Sequence, residues 1–425
     1  MSPLPEFYAV VPAGGAGKRL WPLSRTSRPK FLLDLGGDGR TLIQQAWDRL
    51  EPLAGAARIE VVTGAGHAAA VVQQLDRLAP SNLIVEPGPR DSMPAIALAA
   101  AITRRRHGDV VLGSFAADHI IHGQDGFAAA VEGAYLAAQE GFIATIGIVP
   151  DGPSTAYGYI QTGPPLGLVE APQIALVARF QEKPDRATAE TYLAHGGYRW
   201  NAGMFVFKVN VMLDQLKLLH PALADGIGRL AAVWDTEERD RVAAEVWPKL
   251  SPIAFDHAIA EPVAARGGLA TVPGEFEWSD VGDFASLAEL AELAEPVEPT
   301  EPGEPSEPCE PAGLAGVAGC SGAAGPASAQ GAARASSAAG RRDIVGGGDQ
   351  GARQMVLGGS PPPVIEGSPG ALAVAAGGRL VAMLGVPNVV VVDTPDAVLV
   401  TSLDRVQEVK GLVESLERRG QSQRL

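Results

Sequence analysis

A glycine-rich turn with basic residues on both sides is the first feature of this sequence that could bind a ligand. It follows the apolar run YAVVPA and reads PAGGAGKRLWPLSRTSRPK from Pro12 to Lys30. Glycines let the backbone approach an anion and turn its N–H groups toward it, and basic side chains add charge-assisted hydrogen bonds to phosphate oxygens. The residues expected to contact a phosphorylated ligand are Gly14, Gly15, Gly17, Lys18, Arg19 and Lys30.

Two common phosphate-binding motifs do not fit this turn. A P-loop would need Gly where Pro12 stands and Ser or Thr where Arg19 stands. The dinucleotide-binding pattern G-x-G-x-x-G fails because Leu20 occupies the position of its last glycine. For the glycines alone, a tight strand-to-helix turn with solvated charges is the simpler interpretation.

Two aspartates are candidates for holding a divalent cation. Asp118 ends the strand-like run SFAADHII, and Asp280 lies in FEWSDVGDF. The carboxyl ends of parallel strands are where open α/β sheets bind ligands, and Mg²⁺ is often held by one or two carboxylates plus substrate phosphates. Taken singly, each Asp is more commonly a capping or solvated residue. His119 and His122 do not indicate zinc, because no cysteine or third histidine accompanies them.

Three later segments carry groups suited to a sugar phosphate: STAYGYIQTG, FQEKPDRATAETYL and YRWNAGMFVFK. Carboxylates and amides bind hydroxyl groups, while a cation binds phosphate. Glu182, Lys183 and Asn201 supply these groups. Without further information, Glu182 and Lys183 would more commonly form an exposed ion pair of little energetic value.

The elements that must position these residues divide the chain into three parts. In residues 1–293, strand-like runs alternate with helical patterns, which predicts an α/β domain with a mostly parallel, mixed sheet and flanking helices. Residues 294–370 are rich in Pro and Glu, then in Gly and Ala, and predict a disordered linker. Residues 371–425 predict a small strand-rich domain, with four short strands and a closing amphipathic helix.

Composition limits the classes of partner. The formal net charge of −15 over 425 residues disfavours binding to nucleic acid or to an anionic membrane surface. No basic region followed by an apolar run opens the chain, and no apolar stretch reaches the roughly 20 residues of a spanning helix. Cys309 and Cys320 lie in the biased segment without metal-ligand spacing. We therefore expect a cytoplasmic protein.

The glycine-rich turn resembles the signature G-G-x-G-x-R-L-x-P-L-x(4 or more)-P-K of the sugar nucleotidyltransferase family. The matching residues are Gly14, Gly15, Gly17, Arg19, Leu20, Pro22, Leu23, Pro29 and Lys30. The segments A-D-H-I at Asp118 and D-V-G at Asp280 resemble the metal-binding segments of that family. The similarity spans about residues 7–290 and resumes in the tail, which is similar to the end of mannose-1-phosphate guanylyltransferases.

The resemblance implies a nucleotide-diphospho-sugar transferase fold of Rossmann-like type and a Mg²⁺-dependent enzyme. Its substrates would be GTP and mannose 1-phosphate, and its products GDP-mannose and pyrophosphate. By resemblance, Arg19 and Lys30 would hold the phosphates that leave, and Asp118 and Asp280 would hold the metal. The nucleotide would contact Ala13, Gly14, Gly15, Gly17, Lys18, Arg90, Asp91 and Ser92. The sugar phosphate would contact Gly158, Glu182, Lys183 and Asn201.

Several alternatives stay open. Asp91 lies where guanylyltransferases often have Asn in R-N-T-A-P-A-I, so its carboxylate could accept from guanine or cap the following helix. Ser154 and Ala156 depart from the family pattern near the sugar site. The same chemistry on another pair, such as glucose 1-phosphate with UTP or dTTP, is one alternative function, and a catalytically silent regulatory subunit is another. A homodimer is left open as the assembly state.

Overall fold

The computed structural model describes residues 3–15, 17–293, 352–357 and 360–425. Its N-terminal part contains eleven strands within the described residues. They are β1 (Phe7–Ala13), β2 (Ile59–Gly64), β3 (Leu83–Glu86), β4 (Val111–Ser114), β5 (Ile120–His122), β6 (Ile143–Ile148), β7 (Tyr159–Pro165), β8 (Ala175–Gln181), β9 (Tyr198–Lys208), β10 (Leu269–Gly274) and β11 (Glu277–Ser279).

The helices of this part lie mostly between the strands. They are α1 (Leu42–Ala54), α2 (Ala68–Gln74), α3 (Ser92–His107), α4 (Gln124–Gln139), α5 (Arg186–His195), α6 (Val209–Leu219), α7 (Pro221–Val233), α8 (Arg239–Val246), α9 (Glu261–Ala264) and α10 (Phe284–Leu293). A short π-helical segment, Asp256–Ala260, precedes α9. Among the described residues, every helix is too short or too polar to cross a lipid bilayer.

Nine of these strands form one twisted sheet in the order β3-β2-β1-β4-β9-β6-β10-β8-β7. The strands β3, β2, β1 and β4 are parallel neighbours, and β6 pairs in parallel with β10. The strands β9, β8 and β7 join them by antiparallel pairing. The predicted α/β class with a mixed sheet is therefore confirmed, and parallel pairing dominates only the half that contains the glycine-rich turn.

The sheet is covered on both faces because its strands are apolar on both sides. In β1, the side chains of Phe7, Ala9 and Val11 belong to a core with helices α1 and α4. Val10 points the other way, into a core with α3, α6 and α7. Successive strand residues face opposite sides of a sheet, so one continuous apolar strand can serve two helical layers. This arrangement leaves the ends of the strands free to form a site.

The C-terminal domain is a stack of short strands that ends in a helix. Its elements are β12 (Arg353–Val356), β13 (Val364–Glu366), β14 (Leu372–Ala375), β15 (Ala382–Leu384), β16 (Val389–Asp393), β17 (Val398–Ser402) and α11 (Val409–Arg418). β12, β14 and β16 are parallel neighbours, β17 adds antiparallel to β16, and β13 pairs with β15. The predicted strand-rich domain with a closing helix is confirmed.

The predicted end of the linker at residue 370 is wrong, because β12 and β13 lie inside the segment assigned to it. Both strands are only three or four residues long and are flanked by Gly and Pro, so their local sequence carries little strand signal. Their order comes from parallel pairing with β14 and β15. The rest of the linker prediction, at residues 294–351, lies outside the described residues, as do both cysteines.

A third apolar core joins the C-terminal domain to the N-terminal part. Leu20 and Trp21, which lie within the glycine-rich turn just after its glycines, share this core with Val390, Val409 and Val413. Polar contacts lie at its edge: the indole N–H of Trp21 donates to the carbonyl oxygen of Arg424 at 2.9 Å. The last strands and helix of the chain therefore pack directly on the first predicted ligand-binding segment.

Candidate active site

The glycine-rich turn begins where β1 ends, at the carboxyl edge of the parallel strands. Gly15 and Gly17 have φ values of 85° and 59°, a backbone conformation that side chains disfavour. A Cβ atom at Gly17 would also lie 3.0 Å from the Cβ of Lys30. Ala13 is the buried last residue of β1, and its carbonyl oxygen accepts from the hydroxyl of Thr63 at 2.8 Å. The turn is thus shaped by its glycines and anchored to the sheet.

Lys30 connects the two predicted metal ligands. Its Nζ lies 2.7 Å from Oδ2 of Asp118, and the same ammonium donates to the main-chain carbonyl oxygens of Asp280 and, at 3.5 Å, of Val281. Lys30 is only 6% exposed. Asp118 lies in the turn between β4, which ends at Ser114, and β5, rather than at the end of a strand as predicted. One buried cation therefore links segments that are more than 150 residues apart in sequence.

Asp118 stays ionised although protein atoms surround it on most sides. Burial by itself would raise the pKa of its carboxyl, but the charge and hydrogen bond of Lys30, with further contributions from His119 and the backbone, outweigh that effect and lower the pKa below its usual value. The neighbouring His119 is buried as well, and burial lowers the pKa of its imidazole to about 4. At neutral pH the pair therefore presents a carboxylate beside a neutral ring.

Asp280 is positioned by a tyrosine that the sequence did not single out. The hydroxyl of Tyr157 donates to Oδ1 of Asp280 at 3.1 Å, and the backbone N–H of Gly282 donates to the same oxygen at 3.0 Å. Burial, together with the Asp280 charge, raises the pKa of Tyr157, which keeps its hydroxyl protonated as a donor. Tyr157 packs between Trp200 and Trp278, with ring centroids 4.9 Å away in both cases.

Two pockets meet beside Asp280. The first has a volume of about 460 Å³ and is lined by Gly17, Lys18, Arg19, Lys30, Asp118, His119, Asp280, Val281, Gly282 and Lys410. The second, of about 620 Å³, is lined in part by Arg19, Asp280, Gly282, Tyr157 and the segment from Asp151 to Ala156. The fold thus brings most of the predicted phosphate and metal ligands together around one pocket. Arg19 and Asp280 stand at the boundary with the second.

The four residues predicted to bind a sugar phosphate form one cluster. A Cβ atom at Gly158 would lie 2.5 Å from Oε2 of Glu182 and 3.4 Å from the Cβ of Asn201. The backbone N–H of Asn201 donates to the Gly158 carbonyl at 2.8 Å. Lys183 Nζ lies 2.7 Å from Oε1 of Glu182, with the lysine side chain 62% exposed and the glutamate 9%. Gly158 directly follows Tyr157, so this cluster adjoins the Asp280 site.

Asp256 belongs to the same cluster and was missed by sequence reasoning. It accepts a hydrogen bond from Nδ2 of Asn201 at 2.7 Å, while the Asn201 amide oxygen accepts from the Thr145 hydroxyl at 2.8 Å. Burial, followed by the charge of Glu182, raises the pKa of Asp256 to about 6. The segment SPIAFDHAIA around it contains no motif. Its role depends on a contact with a residue 55 positions away, which no local pattern indicates.

The predicted base-binding residues have structural contacts here. Arg90 donates to the main-chain carbonyls of Trp247 and Pro248 at 3.2 and 2.9 Å. Asp91 has a φ of 67° and accepts from the Ser92 N–H at 2.8 Å as the N-cap of α3. The Ser92 hydroxyl accepts from the backbone N–H of Phe255 at 2.9 Å. The capping alternative for Asp91 is therefore present in the structure, and these three residues stand apart from both pockets described above.

The sequence model described as nucleotidyl transferase matches residues 8–296, which include every candidate site residue predicted from the sequence. The chain belongs to the nucleotidyl transferase family. A second model, for the MannoseP isomerase/GMP-like beta-helix domain, matches residues 369–416 and covers the strands β14 to β17. The predicted resemblance to sugar nucleotidyltransferases is thereby confirmed.

Curated relatives within the nucleotidyl transferase family carry names that agree with this result. The mannose-1-phosphate guanylyltransferase of Escherichia coli strain K12 is 39% identical over 287 residues, which cover 66% of this chain and 59% of that protein. The xanthan biosynthesis protein XanB of Xanthomonas campestris pv. campestris strain ATCC 33913 is 38% identical over 287 residues, covering 66% and 58%. The chain thus matches less than two thirds of the length of each relative.

A solved structure also matches this chain over almost its whole length. A Thermus thermophilus protein, described as mannose-1-phosphate geranyltransferase, superimposes with a TM-score of 0.73 and 28% sequence identity. The superposition covers 97% of this chain and 100% of that protein. A nucleotidyl transferase sheet followed by a short stacked-strand domain is therefore an arrangement that this chain shares with another protein.

Proposed function

We propose that this protein transfers GMP from GTP to mannose 1-phosphate, forming GDP-mannose and pyrophosphate. The observation that carries the proposal is the position of Lys30, which is buried between Asp118 and Asp280 next to the glycine-rich turn. Relatives named mannose-1-phosphate guanylyltransferase, at 36–39% identity, support the choice of substrates. The Thermus thermophilus protein, described as mannose-1-phosphate geranyltransferase, supports the choice of sugar phosphate.

The reaction is a direct displacement at the α-phosphorus of GTP. A phosphate oxygen of mannose 1-phosphate forms the new P–O bond, the bond between the α-phosphorus and its bridging oxygen to the β-phosphate breaks, and the electron pair leaves with pyrophosphate. Such a step depends on positioning and on stabilisation of charge more than on proton transfer. No protein nucleophile is needed, which suits a site made of fixed cations and carboxylates.

The basic residues at the turn would stabilise the leaving group. Arg19, Lys18 and Lys30 line the same pocket, and the glycine backbone beside them can approach phosphate oxygens closely. Because Lys30 is buried and already hydrogen-bonded, its position is fixed before the substrate arrives. Preorganised charge of this kind costs no reorganisation during the reaction.

The carboxylates of Asp118 and Asp280 fit a magnesium ion by their chemistry. Mg²⁺ prefers hard oxygen ligands and is often held by one or two carboxylates with substrate phosphates completing the shell. The bound ion would supply additional charge neutralisation at the triphosphate. The Tyr157 hydroxyl would hold Asp280 in position for it.

The second cluster would bind the sugar phosphate. Lys183 offers an exposed ammonium for the phosphate and lessens the repulsion between two anionic substrates. Glu182 and Asn201 offer a carboxylate and an amide for hydroxyl groups, and Gly158 leaves space for the sugar to approach. Asp256 orients the Asn201 amide by accepting from its nitrogen. For the base, Asp91 and Ser92 at the start of α3 remain the proposed contacts, with Arg90 supporting the loop.

The proposal includes the cytoplasm as location, a homodimer as the assembly state, and residues 1–293 as the catalytic domain. The low cysteine content suits a reducing compartment. Light scattering on the purified chain measures the assembly state directly. Neither nucleic acid nor membrane is among the proposed partners.

The decisive experiment is a pyrophosphate-release assay with Mg²⁺, four nucleoside triphosphates and three hexose 1-phosphates. Wild type is compared with Asp118→Ala and with Asp125→Ala, an exposed aspartate in the first turn of α4 that serves as the control. Release confined to GTP with mannose 1-phosphate, lost in Asp118→Ala and kept in Asp125→Ala, is the expected result. Release with another pair would retain the mechanism and change the substrates. No release by a folded wild type would favour a regulatory subunit.

A further inference from the structure

One wall of the pocket beside Asp118 and Asp280 comes from the C-terminal domain. Lys410, the second residue of helix α11, lines this pocket together with Lys18, Arg19 and Lys30. It lies some 400 positions from the glycine-rich turn in sequence, outside the residues that match the nucleotidyl transferase family. It lies within residues 369–416, which match the MannoseP isomerase/GMP-like beta-helix domain.

Helix α11 is fixed against the turn by contacts on both sides of Lys410. The neighbouring Val409 and the later Val413 are each 3% exposed and belong to the core that contains Leu20 and Trp21. Lys18 Nζ lies 2.7 Å from Oε1 of Glu417, on the same helix. The backbone position of Lys410 is therefore set by packing and does not depend on its own side chain.

A glutamine just before α11 binds to both sides of the site. The Arg19 guanidinium donates to Oε1 of Gln407 at 2.9 Å, and the Gln407 amide nitrogen donates to the carboxylate of Asp283. Asp283 is buried and also accepts from the backbone N–H of Ala285 at 2.8 Å, at the start of α10. The segment that carries Lys410 is thus bonded to a site residue and to the helix that follows Asp280.

Lys410 differs from the other lysines of the pocket in having no partner. Lys30 pairs with Asp118 and Lys18 with Glu417, whereas Lys410 is exposed and forms no ion pair within the described part of the chain. The ammonium of Lys410 is therefore available to bind an incoming anion.

The charges around the pocket indicate what an unpaired cation would bind. Four basic and two acidic side chains line it, so it carries an excess of positive charge. An anion with several charges fits such a pocket better than a neutral sugar does. Building on the proposed function, we propose that Lys410 is a substrate-binding residue that contacts the β- and γ-phosphates of the nucleotide, the group that departs as pyrophosphate.

The test measures binding of inorganic pyrophosphate, in the presence of Mg²⁺, to the full chain by calorimetry. The proteins are wild type, Lys410→Ala, Lys410→Arg and the control Arg418→Ala, which removes an exposed positive charge from the same helix. A charge-assisted hydrogen bond predicts an approximately tenfold weaker affinity for Lys410→Ala. Lys410→Arg should stay within about threefold of wild type and Arg418→Ala should match it, since each keeps a cation at position 410.

Steady-state kinetics gives the second readout. In Lys410→Ala the KM for GTP should rise about tenfold, while the KM for mannose 1-phosphate stays within about twofold. The proposal is overturned if wild type does not bind pyrophosphate, if Lys410→Ala binds it as wild type does, or if Arg418→Ala weakens binding equally. A wild type without turnover on any substrate pair would refute the proposed function only. The pyrophosphate titration would still decide the role of Lys410.

Discussion

The ammonium of Lys30 and the carboxylate of Asp118 form an ion pair of 2.7 Å in which the lysine is almost completely buried. A buried cation without a partner would be costly, and the same holds for a carboxylate enclosed mostly by protein. Each group therefore offsets the cost of burying the other. Because Lys30 also donates to the main chain at Asp280, the pair ties both proposed metal ligands to the strand edge.

Lys30→Gln should change the pH dependence of the reaction. Lys30 is the charge that lowers the pKa of Asp118, so its removal lets burial raise that pKa. Activity that needs the Asp118 carboxylate ionised would then be lost at a higher pH than in wild type. We expect the acidic limb of the kcat profile to move upward and kcat to fall on the order of 100-fold. Lys217→Gln, at an exposed position in α6, is the control, and an unmoved limb in Lys30→Gln would count against this account.

Tyr157→Phe should weaken metal activation without unfolding the protein. The substitution removes the hydrogen bond to Asp280 but keeps the ring between Trp200 and Trp278. Residues that orient a metal ligand typically contribute about tenfold or more to metal affinity. The measurement is the Mg²⁺ concentration for half-maximal activity, which should rise about tenfold. Tyr135→Phe, whose hydroxyl donates to the carbonyl of Pro5 at 3.0 Å, should leave it unchanged.

Gly158→Ala should impair the sugar-phosphate cluster. The new Cβ would lie 2.5 Å from Oε2 of Glu182, so the carboxylate must move by nearly an ångström. A displacement of that size at a binding group can cost roughly 10- to 100-fold, and it should raise the KM for mannose 1-phosphate more than the KM for GTP. Gly228→Ala in α7, where a methyl group has open space, is the matched control. If the KM for mannose 1-phosphate were equal in Gly158→Ala and wild type, Glu182 would not be a residue that binds the sugar.

Glu60→Gln should change how the free energy of unfolding depends on pH, without changing activity. Glu60 lies in β2, is 2% exposed, and accepts from the Thr103 hydroxyl at 2.8 Å. Burial raises its pKa to about 7, so the folded state holds a proton that the unfolded state releases near pH 4.5. Its contribution is therefore complete at acidic pH and is lost as pH rises through about 7.

Denaturant unfolding at several pH values checks this expectation. Between pH 5 and pH 8, wild type should lose about 2–3 kcal/mol more of its free energy of unfolding than Glu60→Gln does. The glutamine cannot ionise but can still accept the hydrogen bond from Thr103. A difference between the two proteins therefore reports the ionisation of Glu60 and not the loss of that hydrogen bond. Parallel pH profiles for the two proteins would show that Glu60 remains ionised in the folded state.

Sequence patterns were informative where the signal lies in residues that are close together in the chain. The glycine-rich turn and the alternating strands and helices are local patterns, and they predicted the α/β fold and the group of residues around Lys30. In contrast, Tyr157 and Asp256 became apparent only through contacts with Asp280 and Asn201, which are 123 and 55 positions away. A single tyrosine or aspartate has no spacing that reveals such a partner.

The start of the C-terminal domain was also mispredicted because it depends on contacts that no local pattern reveals. Strands β12 and β13 are too short for their side chains to form a recognisable alternation, and their pairing with β14 and β15 decides their conformation. Helix α11 was predicted from its apolar periodicity, but periodicity indicates only that one face is buried. That this face packs on Leu20 and Trp21, and so brings Lys410 to the pocket, depends on tertiary structure.

The core shared by Leu20, Trp21 and Val409 also affects the order in which the parts of the protein can pack during synthesis. The central sheet is encoded by the first 274 residues, and a domain can fold as a unit once it has left the ribosome. At that stage the C-terminal members of this core, such as Val390 and Val409, have not yet been translated, so Leu20 and Trp21 lack part of their final packing. The glycine-rich turn is therefore among the first segments to be made and among the last to gain its final packing, because the core and the pocket beside it include Val413 and Lys410.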